Sequence, residues 1–252
     1  MIADLERRTL DLWPPAERVV LDGWELATSG GYTRRTNSVQ PLLAGRMGLE
    51  EKIERAQLHF EKRGLPATFK LTSAAQPVGL DAELARHGYL RSGETCVLVR
   101  DLAEQDAPAP ADTPAVEIAE VPDDGWFEAC VAQTGVEGHH RAALRGILGR
   151  VPPGSAFARI REGGRSLALG LGSMADGHMY LAEVVTHPRA RRRGLARRML
   201  GDLLHHALRR GVRRAFLGMV ASNEPARALY AELGFREAYR YWYREPDPSA
   251  RA

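Results

Sequence analysis

The chain has 252 residues, 44% of them hydrophobic and 27% charged, with a formal net charge of +3. That is a globular composition, long enough for one large core or two small ones. The near-balanced charge excludes a chain that is basic throughout, as a dedicated nucleic-acid binder is. Cys96 and Cys130 are isolated, with no CxxC pattern or disulfide framework, and read as buried thiols in a reducing compartment. The start, "MIADLERRTLDLW", has no apolar signal region, and no apolar run approaches the roughly 18 residues of a membrane span. The expectation is a cytoplasmic protein without membrane contact.

In chain order, strands are predicted over 23–29 ("GWELATS") and 32–39 ("YTRRTNSV"), then a helix over 49–64 ("LEEKIERAQLHFEKRG"). A strand over 67–73, a helix over 80–88 and a strand over 94–100 complete the first half. "EQDAPAPADTPA" then breaks the patterning, because alternating Pro and Ala with acidic residues cannot build a core. We therefore expect a domain over 1–105, a linker over 106–114 and a second domain over 115–252.

The second half reads β-α-α-β-β-β-α-β-α-β. Gly163-Gly164 and Asp176-Gly177 mark hairpin turns. The long helix, near 194–210, carries Leu195, Ala196, Met199, Leu200, Leu203, Leu204, Ala207 and Leu208 at helical spacing. The ends of the halves echo each other: "ELARHGYLRSGETCVLVR" and "LYAELGFREAYRYWYR" both run helix, Gly-aromatic turn, strand.

The most informative stretch is "THPRARRRGLARRMLGDLLHHA", in which six of the ten residues from Arg189 to Arg198 are arginine. Pro188 ends a strand, and the arginine loop leads through Gly194 into the amphipathic helix. Strand, basic glycine loop and helix together suit a phosphate. The first N–H groups of a helix lack internal partners, and the helix dipole adds positive potential. Gly194 admits the backbone to close approach, and Ala196 leaves room beside it. A nucleic-acid patch fits less well, since the run is built into a strand-helix junction. Gly170-x-Gly172-x-x-Ala175 is followed by a strand and so is not a dinucleotide fingerprint. No P-loop sequence is present.

Arg191-x-x-Gly194-x-Ala196, joined by "NEPARALYAELGF" from Asn223 to Phe235, resembles the signature of the GCN5-related N-acetyltransferase (GNAT) family. The resemblance covers roughly residues 115–245. It implies a mixed α/β acyl-CoA transferase fold, a full domain in the second half and a degenerate, partial copy in the first. It also implies acetyl-CoA as co-substrate, with its pyrophosphate on the Arg192–Arg197 backbone, Leu195 included, and Arg191, Arg192, Arg193 and Arg197 supplying charge. The backbone of Val184, Val185 and Thr186 would pair with the pantetheine arm as an added strand, with Asn223 on the other side. The acceptor would be an amine of a small molecule or peptide, with no nucleic acid involved.

Transfer to an amine requires a neutral nucleophile, although a lysine-like amine has a pKa of about 10.4, and a proton for the leaving thiolate. Tyr230 stands where this family places its general acid; packing at a helix is its other reading. Glu183, the carboxylate on the strand before the loop, is the candidate base, although one residue of register would turn it away. The adjacent pairs His139-His140 and His205-His206 cannot share a metal from one helix side, so no metal is expected. A non-catalytic acyl-CoA-binding protein is the alternative function, and an aminoacyl-transferase, which would release no free CoA, is a third. The first half should bind no CoA: Leu84 aligns with Tyr230, and Glu50 and Glu51 open its long helix. Its "GGYTRRTNSV" segment either walls the acceptor pocket or is a solvated strand.

Overall fold

A computed structural model describes residues 1–103 and 115–251; the expected linker over 106–114 lies outside the described residues. The first half runs α1 (Ile2–Leu12), β1 (Glu17–Leu21), β2 (Trp24–Thr28), β3 (Ser38–Gln40), α2 (Leu49–Glu61), β4 (Phe69–Thr72), α3 (Leu80–Arg86) and β5 (Tyr89–Asp101). The second runs β6 (Val116–Ala119), α4 (Asp124–Thr134), α5 (His140–Leu148), β7 (Ala156–Glu162), β8 (Arg165–Ala175) and β9 (His178–Thr186). It continues through α6 (Leu195–Arg209), β10 (Arg214–Val220), α7 (Glu224–Glu232) and β11 (Arg236–Pro246).

All of these strands join one sheet, in the order β1-β2-β3-β4-β11-β5-β10-β9-β8-β7-β6. The order is nearly symmetric about its centre. β3-α2-β4-α3-β5 in the first half matches β9-α6-β10-α7-β11 in the second, and in both units the strands flanking the long helix pair in parallel. The final strands are exchanged: β11 pairs with β4 and β5 pairs with β10, while β5 and β11 lie antiparallel to each other. Each half thus completes the sheet of the other.

The cores follow from this arrangement. On one face α6 buries Leu195, Met199, Leu200, Leu203, Leu204 and Ala207, at about 1.5–3 kcal/mol for each large side chain. A Cβ at Gly170 of β8 would stand 3.0 Å from the Met199 methyl of α6, so glycine there lets the helix sit close. The opposite face mixes the halves. Leu5, Leu12 and Trp13 join Trp126, Phe127, Leu169, Leu171, Tyr239 and Tyr241 in one cluster, and α1 packs on β8 and β9. A buried ion pair, Lys70 to Glu6 at 2.5 Å, ties β4 to α1. The Tyr239 phenol of β11 donates to the same carboxylate at 2.6 Å.

Three local expectations change. Residues 32–39 are not one strand: Arg34–Thr36 form a 3-10 turn and only Ser38–Gln40 is extended. Asn37 enforces the turn, its Oδ1 accepting from the Ser29 and Gly31 N–H groups at 2.7 and 2.9 Å. Neither α1 nor β1 was expected. The buried face of α1 includes Glu6 and Thr9, which interrupt its apolar period, and β1 is an edge strand almost wholly exposed. β5 starts five residues earlier than expected, at Tyr89, because pairing with β11 carries the polar "YLRSG" segment. Among the described residues, no helix is long and apolar enough to cross a membrane.

Candidate active site

β9 and β10 pair only from His178↔Arg214 to Tyr180↔Phe216. Beyond that point β9 continues to Thr186 and β10 to Val220 without pairing to each other, so the sheet splays open. The register of β9 with β8 also shifts between Ala182 and Val185, and Glu183 within the shift has φ of +51°. This is a β-bulge, which re-aims a side chain and bends its strand. Left-handed backbone at a non-glycine residue costs roughly 1–2 kcal/mol, a cost that recurs at functional sites.

A cavity of about 260 Å³ fills the splay. β9 contributes Glu183, Val184 and Val185, α7 and its N-cap contribute Tyr230 and Asn223, and the first half contributes Arg35. The bulge settles which way Glu183 faces. Its carboxylate lies 3.4 Å from the Tyr32 phenol and 3.6 Å from the Cys130 sulfur. Burial raises the Glu183 pKa above the usual carboxylate range, while the charge of Arg35 pulls it back. Burial and the Glu183 charge push the Cys130 thiol up, so it stays protonated beside the carboxyl.

Tyr230 is only 6% exposed and its ring meets Phe235 edge-on at 5.6 Å. Burial raises the phenol pKa, and its hydroxyl has no hydrogen-bond partner among the described residues. A neutral O–H therefore faces the cavity. The Asn223 side-chain oxygen caps α7 by accepting from the Ala226 N–H at 3.2 Å, leaving its amide N–H₂ for the cleft. Thr186 pairs with Ala168 of β8.

The arginine loop does not line this cavity; it stands at the start of α6. Gly194 is the N-cap with φ of +72°, and a Cβ there would meet nothing within 4 Å. The first helical bond runs from the Arg198 N–H to the Gly194 carbonyl, which leaves the N–H groups of Leu195, Ala196 and Arg197 without helical partners. The Leu195 side chain points into the core. Arg193 pairs with Glu162 at 2.9 Å and Arg197 with Glu232 at 3.6 Å. Arg191 and Arg192 are exposed, with no ion pair among the described residues. Open space, free N–H groups and two unpaired cations suit a pyrophosphate.

Residues 1–244 match the family described as "Probable histone acetyltransferase Rv0428c C-terminal". The chain belongs to this acetyltransferase family. The "Uncharacterized N-acetyltransferase YobR" of Bacillus subtilis is 27% identical over 248 residues, covering 96% of this chain and 98% of that protein. The mycothiol acetyltransferase of Thermobifida fusca is 36% identical over 103 residues, 41% of this chain and 27% of its own length. Among solved structures, a GCN5-related N-acetyltransferase from Kribbella flavida superposes with a TM-score of 0.71 at 20% identity, covering 98% of this chain and 95% of that one. A tandem GNAT protein from the clavulanic acid biosynthesis pathway gives 0.66 at 17%, covering 97% and 88%. The fold is that of a GNAT N-acetyltransferase.

Within this GNAT chain, sequence reasoning missed Cys130 and Tyr180, which reach Glu183 and the cavity from α4 and β9. Neither stands in a motif, and only the packing of α4 on β9 brings Cys130 there. The "GGYTRRTNSV" segment does reach the site, but unevenly. Tyr32 and Arg35 face it, whereas Arg34 turns away to Glu245 at 2.8 Å and the Tyr243 ring at 4.4 Å. Of the histidine pairs, the His139 and His140 rings lie 4.2 Å apart with their planes tilted by 55°.

Proposed function

We propose that this N-acetyltransferase moves an acetyl group from acetyl-CoA to a primary amine of a small molecule or peptide. The observation that carries the reading is the splay between β9 and β10. A carboxyl of raised pKa and an unpartnered phenol open into the same small cavity there. When bound, acetyl-CoA supplies an acyl group activated as a thioester.

The chain's own groups do the rest. Glu183 takes a proton from the acceptor ammonium and frees its lone pair. Backbone N–H groups within Val184–Thr186 that point to the edge of β9 left unpaired by β10 stabilise charge developing on the carbonyl oxygen. The C–N bond forms as the C–S bond breaks; the Tyr230 O–H protonates the departing thiolate, and the proton released from the new amide nitrogen restores the phenol. The Arg191–Arg197 loop and the α6 N-terminus hold the pyrophosphate, and Asn223 borders the arm. The reading is tested by titrating acetyl-CoA calorimetrically and then following thiol release against a panel of amines. Binding with amine-dependent thiol release supports it, whereas binding without turnover against any amine would favour an acyl-CoA-binding role.

A further inference from the structure

Arg35 is a half-buried cation that forms no ion pair of its own among the described residues, although the charge of Glu183 acts on it. Its Nε is buried without a hydrogen-bond partner, and no ion pair or side-chain hydrogen bond to its guanidinium exists among the described residues. Its neighbours are satisfied. Lys70, across the adjoining small cavity that Arg35 also lines, is neutralised by Glu6 at 2.5 Å. Arg34, one residue earlier, pairs with Glu245. A buried guanidinium Nε–H without a partner is costly.

The position of Arg35 is also built. It sits in the Arg34–Thr36 turn, which Asn37 holds from three sides, accepting from Ser29 and Gly31 and donating to the Thr33 carbonyl at 2.7 Å. The backbone that carries Arg35 is thus fixed at the cavity before any ligand binds, so less ordering is left to do on binding. Across the cavity stands Glu183, which together with Arg35, Lys70 and Glu6 gives two positive and two negative groups. A zwitterionic ligand keeps that balance, whereas a simple ammonium adds an uncompensated charge.

We propose that Arg35 is a specificity-determining residue that binds the carboxylate of the acceptor. The acceptor is then a small amine of the amino-acid class, with its ammonium at Glu183 and its carboxylate at the guanidinium. A planar guanidinium matches a carboxylate in two parallel hydrogen bonds, and the cavity volume of about 260 Å³ suits a small molecule. This inference rests on the reading that the Glu183 cavity receives the amine.

The test uses matched sets: protein amino acids, their amides and their decarboxylated amines, each with acetyl-CoA. In the parent protein, kcat/KM for at least one acid should exceed that of its amide by about 10- to 100-fold, the worth of a charge-assisted pair. Arg35→Gln should bring that ratio near one, with acetyl-CoA affinity unchanged by calorimetry. Equal rates for acid and amide in the parent, or an unchanged ratio in Arg35→Gln, would overturn the proposal. The parent comparison decides even if the substitution unfolds the chain. Direct calorimetric binding of acids and amides to CoA-saturated protein judges the carboxylate site separately. If no amine is acetylated yet acids bind and amides do not, the transferase reading fails and the Arg35 site stands.

Discussion

The Tyr32 phenol lies 3.4 Å from both carboxylate oxygens of Glu183, although the two residues are 151 positions apart. One stands in the loop before β3 and the other on the bulge of β9, so the candidate base is enclosed by both halves of the chain. Tyr32, Cys130 and Arg35 all face this carboxyl.

That enclosure sets a pH dependence. Burial favours the neutral form of Glu183, while base catalysis needs the ionised form. Activity should therefore rise with pH through a value above the ordinary glutamate range, which is near 4.3. Glu183→Gln should lower kcat/KM by about 100- to 10,000-fold and remove this acidic limb. A limb that persists unchanged in the Gln variant would assign it to another group.

For Tyr230, burial keeps the phenol protonated far above neutral pH, as a proton donor requires. Tyr230→Phe preserves the edge-on contact with Phe235 and removes only the hydroxyl. Turnover should fall by roughly 100- to 10,000-fold with acetyl-CoA affinity nearly constant. Steady-state kinetics within twofold of the parent would reassign the residue to packing.

At the loop proposed to hold the pyrophosphate, Gly194→Glu sets a carboxylate into open space beside three N–H groups without helical partners. We expect acetyl-CoA binding to be lost while circular dichroism stays native. Gly194→Asn, which tolerates φ of +72° without adding charge, separates strain from electrostatics and should keep measurable affinity. Calorimetric affinity for Gly194→Glu equal to the parent would remove the loop from the site.

Titration of the whole chain should saturate at one acetyl-CoA. The equivalent helix of the first half, α2, opens with Glu50 and Glu51, whose charge satisfies the helix dipole and repels phosphate. Two equivalent sites would show that the first half is a second acyl-CoA unit.

The Glu6–Lys70 pair makes a stability prediction. Both groups are at most 2% exposed, so Glu6→Ala strands a buried ammonium against the Tyr241 ring, 4.1 Å away. Urea unfolding should lose about 3–5 kcal/mol. Glu6→Leu with Lys70→Met, which removes both charges, should recover most of that loss. A loss below about 1 kcal/mol for Glu6→Ala would mean that the ammonium finds water.

Much of the candidate site was legible because its chemistry is local. The apolar spacing of α6, Gly194 at its start and the Asn223 cap of α7 each act within a few residues, and each left a readable pattern. The direction of Glu183 was not legible. A strand's two-residue period names two faces, but the bulge between Ala182 and Val185 rotates the chain within it. The 3-10 turn at Arg34–Thr36 was hidden for a similar reason, since Asn37 closes it through backbone groups that no apolar period reports.

The sequence by itself carried the expectation of two related units in succession, of a basic glycine loop suited to phosphate in the second, and of Tyr230 and Glu183 as the groups of its proposed chemistry. Only the tertiary structure decided how the units close. β5 and β11 follow the same helix-glycine-strand pattern, so each could in principle complete its own half. The local pattern encodes which residues are buried, whereas partner choice is a long-range contact. In the fold β5 runs beside β10, β11 runs beside β4, and α1 crosses onto β8 and β9. That exchange welds the halves into one sheet and carries Tyr32 and Arg35 to the Glu183 carboxyl in the other half of the chain.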